Sequence, residues 1–295
     1  MCFPQEQKKQ KRTFMFYSKT AASSARRGPM IRVLQTLFLC STGLPAAFSA
    51  DLTPQAQKGF DRYIQLTEER QARDLNAQHF LYGNGSAEQR AQVRAGKVLI
   101  LPQKMLDQGK EIAVPDGLVQ DWLGILFMPH ATIAQVRAVM EDYAAYQQFY
   151  KPEVTESKLL GHNGAEYDIS LRLYKRQFVT VVLNATYHVR YGDLDATHMY
   201  VNSRSTRITQ VKDPGKLAAG DYPAGHDDGF LWALNSYWRF EQADGGVYAQ
   251  LQAVSLSRDL PFGLQWLKGF LQKFPVESME ATLKGTKRAV ESRVR

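Results

Sequence analysis

The chain holds two cysteines in 295 residues, Cys2 and Cys40. Everything beyond position 40 is therefore free of disulfides, thiolate zinc sites, iron–sulfur clusters and cysteine nucleophiles. Histidine is sparse as well: His79, His130, His162, His188, His198 and His226 are scattered, with no pair three or four residues apart. No H-E-x-x-H, no G-x-S-x-G elbow and no Gly-rich phosphate loop occurs, so the chain offers no motif for zinc proteolysis, serine hydrolysis or nucleotide binding. His226-Asp227-Asp228 is the one local group of metal-capable side chains, and its Gly/Pro-rich surroundings read as a solvated turn. No metal or other cofactor is expected. Long apolar runs are missing too: none reaches the about 20 residues that a membrane-spanning helix needs.

Acidic residues are scarce in one place only. Residues 1–50 carry eight Lys and Arg against Glu6 alone, while the rest of the chain balances 29 basic against 28 acidic residues. The net charge of +8 thus sits at the front, and the remainder shows no charge excess suited to nucleic acid. From Met30 the sequence reads MIRVLQTLFLCSTGLPAAFSADLTP. A short basic region at Arg32, an apolar stretch from Val33 to Leu44 and small residues at Ala46, Ala47, Ser49 and Ala50 have the anatomy of a secretory signal peptide. Cleavage after Ser49 and after Ala50 both fit. Residues 1–29 read as an extension before a start at Met30; the alternative is a cytoplasmic or organelle-directed role for that basic tail. The expected mature protein is periplasmic or secreted, soluble or peripheral, and cysteine-free.

The chain as a whole has globular composition, 44% hydrophobic and 22% charged. Thr53-Pro54 is a cap with proline at the first helical position, opening a polar helix to about Asn76 with Phe60, Tyr63 and Ile64 as its apolar stripe. Ser86 and Gln89 form a capping box for a second helix that ends before Gly96, and Val98–Leu101 reads as a short strand. Residues 51–110 thus form a helical extension, and 111–295 the main domain. There, Gly117–Phe127 is a Trp-containing strand that stops at Pro129, and Thr132 caps a helix with Ile133, Val136, Val139, Met140 and Tyr143 at helical spacing. Six strands come after this helix: Val154–Leu160, Tyr167–Tyr174, Phe178–Tyr191, Met199–Val211, Phe230–Glu241 and Val247–Arg258. Tyr167, Ile169, Leu171 and Leu173 share one face, as do Val179, Val181, Leu183, Ala185, Tyr187 and Val189, opposite polar residues. That pattern predicts an antiparallel sheet covered on one side only. The chain closes with a helix from Phe262 to about Lys273 and another opening at Pro275, whose Met279, Leu283, Thr286 and Val290 form a stripe suited to the sheet. The fold class is α+β.

Two segments carry a resemblance to a known family: WLGILFMPHATIAQVRAVMEDYAAYQQFYKPEVTESKLL and the closing FPVESMEATLKGTKRAV. Across about Val114 to Val290 the sequence resembles the START-like helix-grip (SRPBCC, polyketide-cyclase) superfamily. The resemblance implies a curved antiparallel sheet wrapped around the C-terminal helix, with an apolar cavity between them for a lipid, sterol, polyketide or other hydrophobic ligand. It implies no universal catalytic motif. The region before Gly117 and the helix Phe262–Lys273 depart from the common pattern.

Several residues are candidates for that site. FLWALNSYWRF places Trp232, Leu234, Ser236, Trp238 and Phe240 on one face by alternation, so Trp232 and Trp238 are candidate cavity walls. Arg204 and Arg207 face opposite ways. An inward Arg204 would grip a ligand's polar head, and an outward one would pair with a neighbour such as Asp168 or Glu166. Tyr187, Leu183, Leu171, Met279 and Leu283 complete the expected lining. The helix FGLQWLKGFLQKF would act as a lid, touch a membrane surface transiently during loading, or pack on the sheet edge. These residues together point to non-enzymatic binding or transport of a hydrophobic small molecule. A cyclase or dehydratase on the same fold is one alternative, with His188, Asp168, Tyr187 and Arg204 as its acid/base candidates. An envelope interaction module docking through the N-terminal helices is another.

Overall fold

The computed structural model describes residues 50–75, 80–81, 87–176, 180–216, 220–259 and 273–293. The leader before residue 50, Ser86, Phe178, Val179 and residues 262–272 of the expected lid helix lie outside them.

β1 (Ala50–Asp51) leads into α1 (Pro54–Arg73). Thr53 caps α1, its Oγ1 accepting from the Ala56 N–H at 3.1 Å, and Pro54 occupies the first turn, where no backbone donor is needed. Next come α2 (Ala87–Arg94), β2 (Leu99–Pro102), the small hairpin β3 (Leu106–Asp107) and β4 (Lys110–Glu111), and the long β5 (Gly117–Pro129). α3 (Ile133–Met140) begins with the reciprocal Thr132–Gln135 capping box. A turn of tighter helix at Tyr143–Ala145 and the short α4 (Tyr146–Phe149) form an aromatic corner. β6 (Val154–Asn163), β7 (Glu166–Arg176), β8 (Thr180–Asp195), β9 (His198–Gln210), the two-residue β10 (His226–Asp227), β11 (Ala233–Ala243) and β12 (Gly246–Arg258) complete the strands. The closing helix is α5 (Lys273–Glu291).

Eight strands form one open, curved antiparallel sheet in the order β2-β5-β12-β11-β9-β8-β7-β6. β5 and β12, far apart in sequence, pair along their whole lengths. α5 lies across β5 and β12 and also meets α3, so the expected arrangement of a curved sheet gripping a C-terminal helix is present. Tyr150 Oη meets Thr286 Oγ1 at 3.0 Å, which ties the aromatic corner to α5. The inner core joins Leu283 and Val290 of α5 to Leu126, Leu251 and Phe240 of the sheet and to Val136 and Val139 of α3.

The expectation of a sheet covered on one side only is corrected. The apolar stripe of α1 (Phe60, Tyr63, Ile64) packs with Tyr237, Val254 and Leu256 on the outer face. Phe80, Leu81 and Val93 cover Phe127 and Tyr248 beside it. The outer face is polar and open further along, over β9 to β6, where Arg172 meets Asn184 and Thr186 meets Thr206. The segment expected as a helical extension therefore packs on the sheet and contributes β2 to it, and the described residues from Ala50 onward form one compact unit. Among the described residues no helix is long and apolar enough to cross a membrane.

Candidate functional site

Residues directly opposite on neighbouring strands share a face, so the register lays out the inner face row by row. One row runs Gly124, Leu251, Trp238, Val201, Tyr191, every member buried, with Met279 and Leu283 of α5 resting on Gly124. The next row is Trp122, Ala253, Ser236, Ser203, and the one after it Gln120, Ser255, Leu234, Ser205. All eight of these residues are half-buried. Full burial stops at the Gly124 row and gives way to a floor of small polar residues between Trp122 and Leu234, which with Ala253 still pack on the inner core. Serine is a poor strand former and fills little volume. Setting it at paired inward positions of β9, β11 and β12 sacrifices core packing, a local inconsistency of the sort that marks functional surfaces.

The polar groups of this floor are largely unspent. Ser205 Oγ accepts from the Leu234 N–H at 3.0 Å, which leaves its own proton free to be donated. Ser203, Ser236, Ser255 and Gln120 make no side-chain hydrogen bond to any described residue. Tyr187 pairs with Ser205 across the strands and is 5% exposed, and its phenol also has no partner among the described residues. Burial alone pushes its pKa well above the ordinary tyrosine value. Gln210, 6% exposed and inward beside Leu183, gives an Nε2 proton to Asp228 at 2.6 Å, while its buried Oε1 has no partner among the described residues. Buried polar groups nearly always find a partner, so each exception calls for one.

Six of the predicted lining residues, Trp238, Tyr187, Leu183, Leu171, Met279 and Leu283, fall in the inner-face cluster. Trp238 stacks on Phe240 at 5.3 Å. Trp232 and Arg204 are placed elsewhere. Trp232 precedes the first residue of β11, so the alternation that would have turned it inward does not yet apply. It lies under α1 with Phe60 and Tyr63, its indole N–H donating to Asp227 Oδ1 at 3.2 Å. Arg204 is opposite Asn235 on the outer face and forms an ion pair with Glu68 of α1, its Nε to Oε1 distance being 2.6 Å. Asp168 instead meets His188, Nδ1 to Oδ1 at 2.9 Å. The acid/base candidates are thereby split: His188, Asp168 and Arg204 are outward and solvent-facing, and Tyr187 is inward. In the His226-Asp227-Asp228 group, His226 meets Asp51, Asp227 caps Gly229 and Trp232, and Asp228 takes Gln210, so the three side chains diverge. A surface depression of about 460 Å³ beside α4, lined by Gln147, Lys151, Pro152 and Tyr174, is two strands or more away from the serine floor.

Sequence reasoning missed the serine floor. Its signal is present: Ser203-x-Ser205, Ser236 and Ser255-x-Ser257 each alternate with outward residues in strands that prove adjacent.

The outer face under α1 is a polar network. Tyr63 donates to Asp121 at 2.9 Å and accepts from the Met105 N–H at 2.9 Å. Gln252 donates to the same carboxylate at 2.8 Å and accepts from Gln71 at 2.6 Å. Burial raises the Asp121 pKa against the lowering effect of these donors. Arg239, 3% exposed, gives protons to the carbonyls of Gln71 and Phe80 at 2.7 and 2.5 Å, and burial lowers its pKa to about 10. A cation beneath the C-terminal carbonyls of α1 is the favourable sign for the helix dipole.

A scan against protein-family models finds no match, and neither does a comparison with curated proteins. Among solved structures, those similar to this chain include START-superfamily proteins. The STAR-related lipid transfer protein of Xanthomonas axonopodis is 18% identical, with 65% of this chain and 98% of that one covered at a TM-score of 0.41. The Zhui aromatase/cyclase of a Streptomyces species is 12% identical, with 60% and 97% covered at 0.44. Human STARD10 is 10% identical, with 64% and 69% covered at 0.41. Likeness at this level concerns chain architecture, not ligand or activity.

Proposed function

We propose that the protein binds a hydrophobic, lipid-like small molecule on the inner face of its sheet, between the serine floor and the side on which α5 lies, and that it does so without chemistry. The observation that carries this reading is the change from a fully buried row at Gly124 to two half-buried rows of serine, Gln120 and Trp122. Apolar residues supply the driving force there, about 0.8 kcal/mol for each methylene removed from water, before the cost of fixing the ligand. A few polar groups orient it. The non-enzymatic reading is supported by the division of the acid/base candidates between two faces.

We further read the protein as exported, with the segment up to Ser49 or Ala50 removed. The basic, apolar and small-residue succession from Arg32 to Ala50 supports this. The test is to express the full chain in a bacterium, recover it from the periplasm, sequence its N-terminus, and examine it by native mass spectrometry and solvent extraction. A new N-terminus at Ala50 or Asp51 and a one-to-one adduct that partitions as a lipid are expected. A protein that carries no adduct and takes up no Nile red would overturn the binding reading, and an intact leader in every fraction would overturn export.

A further inference from the structure

We infer that the ligand's polar end is uncharged, a hydroxyl or a carbonyl, and not a carboxylate, a phosphate or an ammonium. This rests on the binding reading above and on what the inner face offers. The polar atoms without partners among the described residues are the hydroxyls of Ser203, Ser236, Ser255 and Tyr187, the carboxamide of Gln120 and the Oε1 of Gln210. Hydroxyls and carboxamides match a neutral head that gives and takes hydrogen bonds.

Among the described residues, charge on this face is confined to its margins and is already engaged. Lys175 is held by Glu153 at 2.6 Å and by Ser278 at 3.0 Å. Asp193 is paired with Arg137. His162, exposed on the edge strand β6, stacks on Tyr167 at 5.2 Å. The strong cations of the central strands point the other way, Arg204 to Glu68 and Arg239 to the end of α1. The backbone N–H groups of the floor are spent on the strand ladders or, for Leu234 and Ser205, on Ser205 Oγ and Asn235 Oδ1. Among the described residues of this face an anionic head would meet neither a free cation nor a free backbone donor, and the carboxylate nearest to it for a cationic head, Asp228, already accepts from Gln210. Burying a charge so poorly matched is unfavourable.

The test uses the exported full chain loaded with Nile red, a neutral probe. Displacement is measured with four dodecyl amphiphiles of equal chain, each below its micelle concentration at about pH 8, where the carboxylate is ionised: 1-dodecanol, dodecanoate, dodecyl phosphate and dodecyltrimethylammonium. Dodecanol is expected to displace the probe at a concentration at least about tenfold below the other three. Ser203→Val with Ser236→Val should erase most of that advantage while Nile red is still taken up. If a charged amphiphile competes as well as dodecanol, if dodecanol displaces nothing, or if the double variant keeps the full preference, the neutral-head inference falls and binding stands. If the wild-type protein takes up no Nile red, the binding reading falls with it.

Discussion

Gly124 is where α5 comes closest to the sheet, and it offers a quantitative check on the grip. A Cβ at this position would sit 2.5 Å from Leu283 Cδ1 and 2.8 Å from Met279 Sδ. Both side chains are enclosed, Leu283 with no exposure and Met279 with 5%, so neither can swing away freely. Overpacking of this kind costs about 1–3 kcal/mol. The stiffer unfolded chain of an alanine variant returns about 0.4–1 kcal/mol. Gly124→Ala should therefore destabilise by about 1.3 kcal/mol net at the middle of these ranges and by about 2.6 kcal/mol at most. Met279→Ala alone leaves a cavity and should cost about 2–5 kcal/mol. Combined, the two changes relieve each other, because the new methyl occupies part of the space vacated by Met279. The double-mutant cycle should show a favourable coupling of about 1 kcal/mol or more. Urea unfolding followed by tryptophan fluorescence reads all three values, provided that m is unchanged. A Gly124→Ala protein more stable than wild type, or additivity within about 0.5 kcal/mol, would refute the contact. The perturbation also bears on function, since the Gly124 row borders the Trp122–Ser236 row: raising α5 should change Nile red affinity in Gly124→Ala and restore it in the double variant.

Arg239→Leu should destabilise by about 2–4 kcal/mol, because the carbonyls of Gln71 in the last turns of α1 and of Phe80 beyond it lose their donor; hydrogen exchange should show the loss concentrated in the last turns of α1. Asp121 has a raised folded-state pKa, so the folded protein takes up this proton at a higher pH than the unfolded chain does. Its contribution to stability therefore grows as pH falls through the folded value and is lost as pH rises above it. Asp121→Asn should remove that growth, and urea titrations of both proteins across the weakly acid range should differ in slope there; identical slopes would show that Asp121 does not titrate as described. Arg204→Ala should cost no more than about 1 kcal/mol, since its side chain is 59% exposed and its pairing with Glu68 is largely screened. The same variant should leave Nile red affinity unchanged, and a large loss of affinity would return Arg204 to the ligand site.

Element order was legible because its signals are local. Thr53-Pro54 and Thr132 with Gln135 cap helices through their own side chains, and period-two alternation in β7 and β8 needs no knowledge of the partner strand. The stripe Met279, Leu283, Val290 was enough to place α5 on the sheet, since an amphipathic helix has to bury its apolar side. The same requirement applies to α1, whose Phe60, Tyr63 and Ile64 also need cover. Two stripes and one sheet require two covered faces. Arg204 and Tyr237, both bound to Glu68, then belong beneath α1 and not in a cavity.

The site was less legible because alternation sorts residues into two faces without ranking positions along a face. Trp238 and Ser236 share the inner face of β11, yet one is packed against Phe240 and the other is half-buried with an idle hydroxyl. The difference arises from where α5 lies: its close approach to Gly124 seals the Trp238 row, and the Ser236 row lies just beyond. That approach depends on the pairing of β5 with β12, more than a hundred residues apart in sequence. A serine in one strand is a common surface residue. Serines at matching inward positions of β9, β11 and β12 become a polar floor only once those strands are known to be neighbours, and it is the register, not the composition, that brings them together.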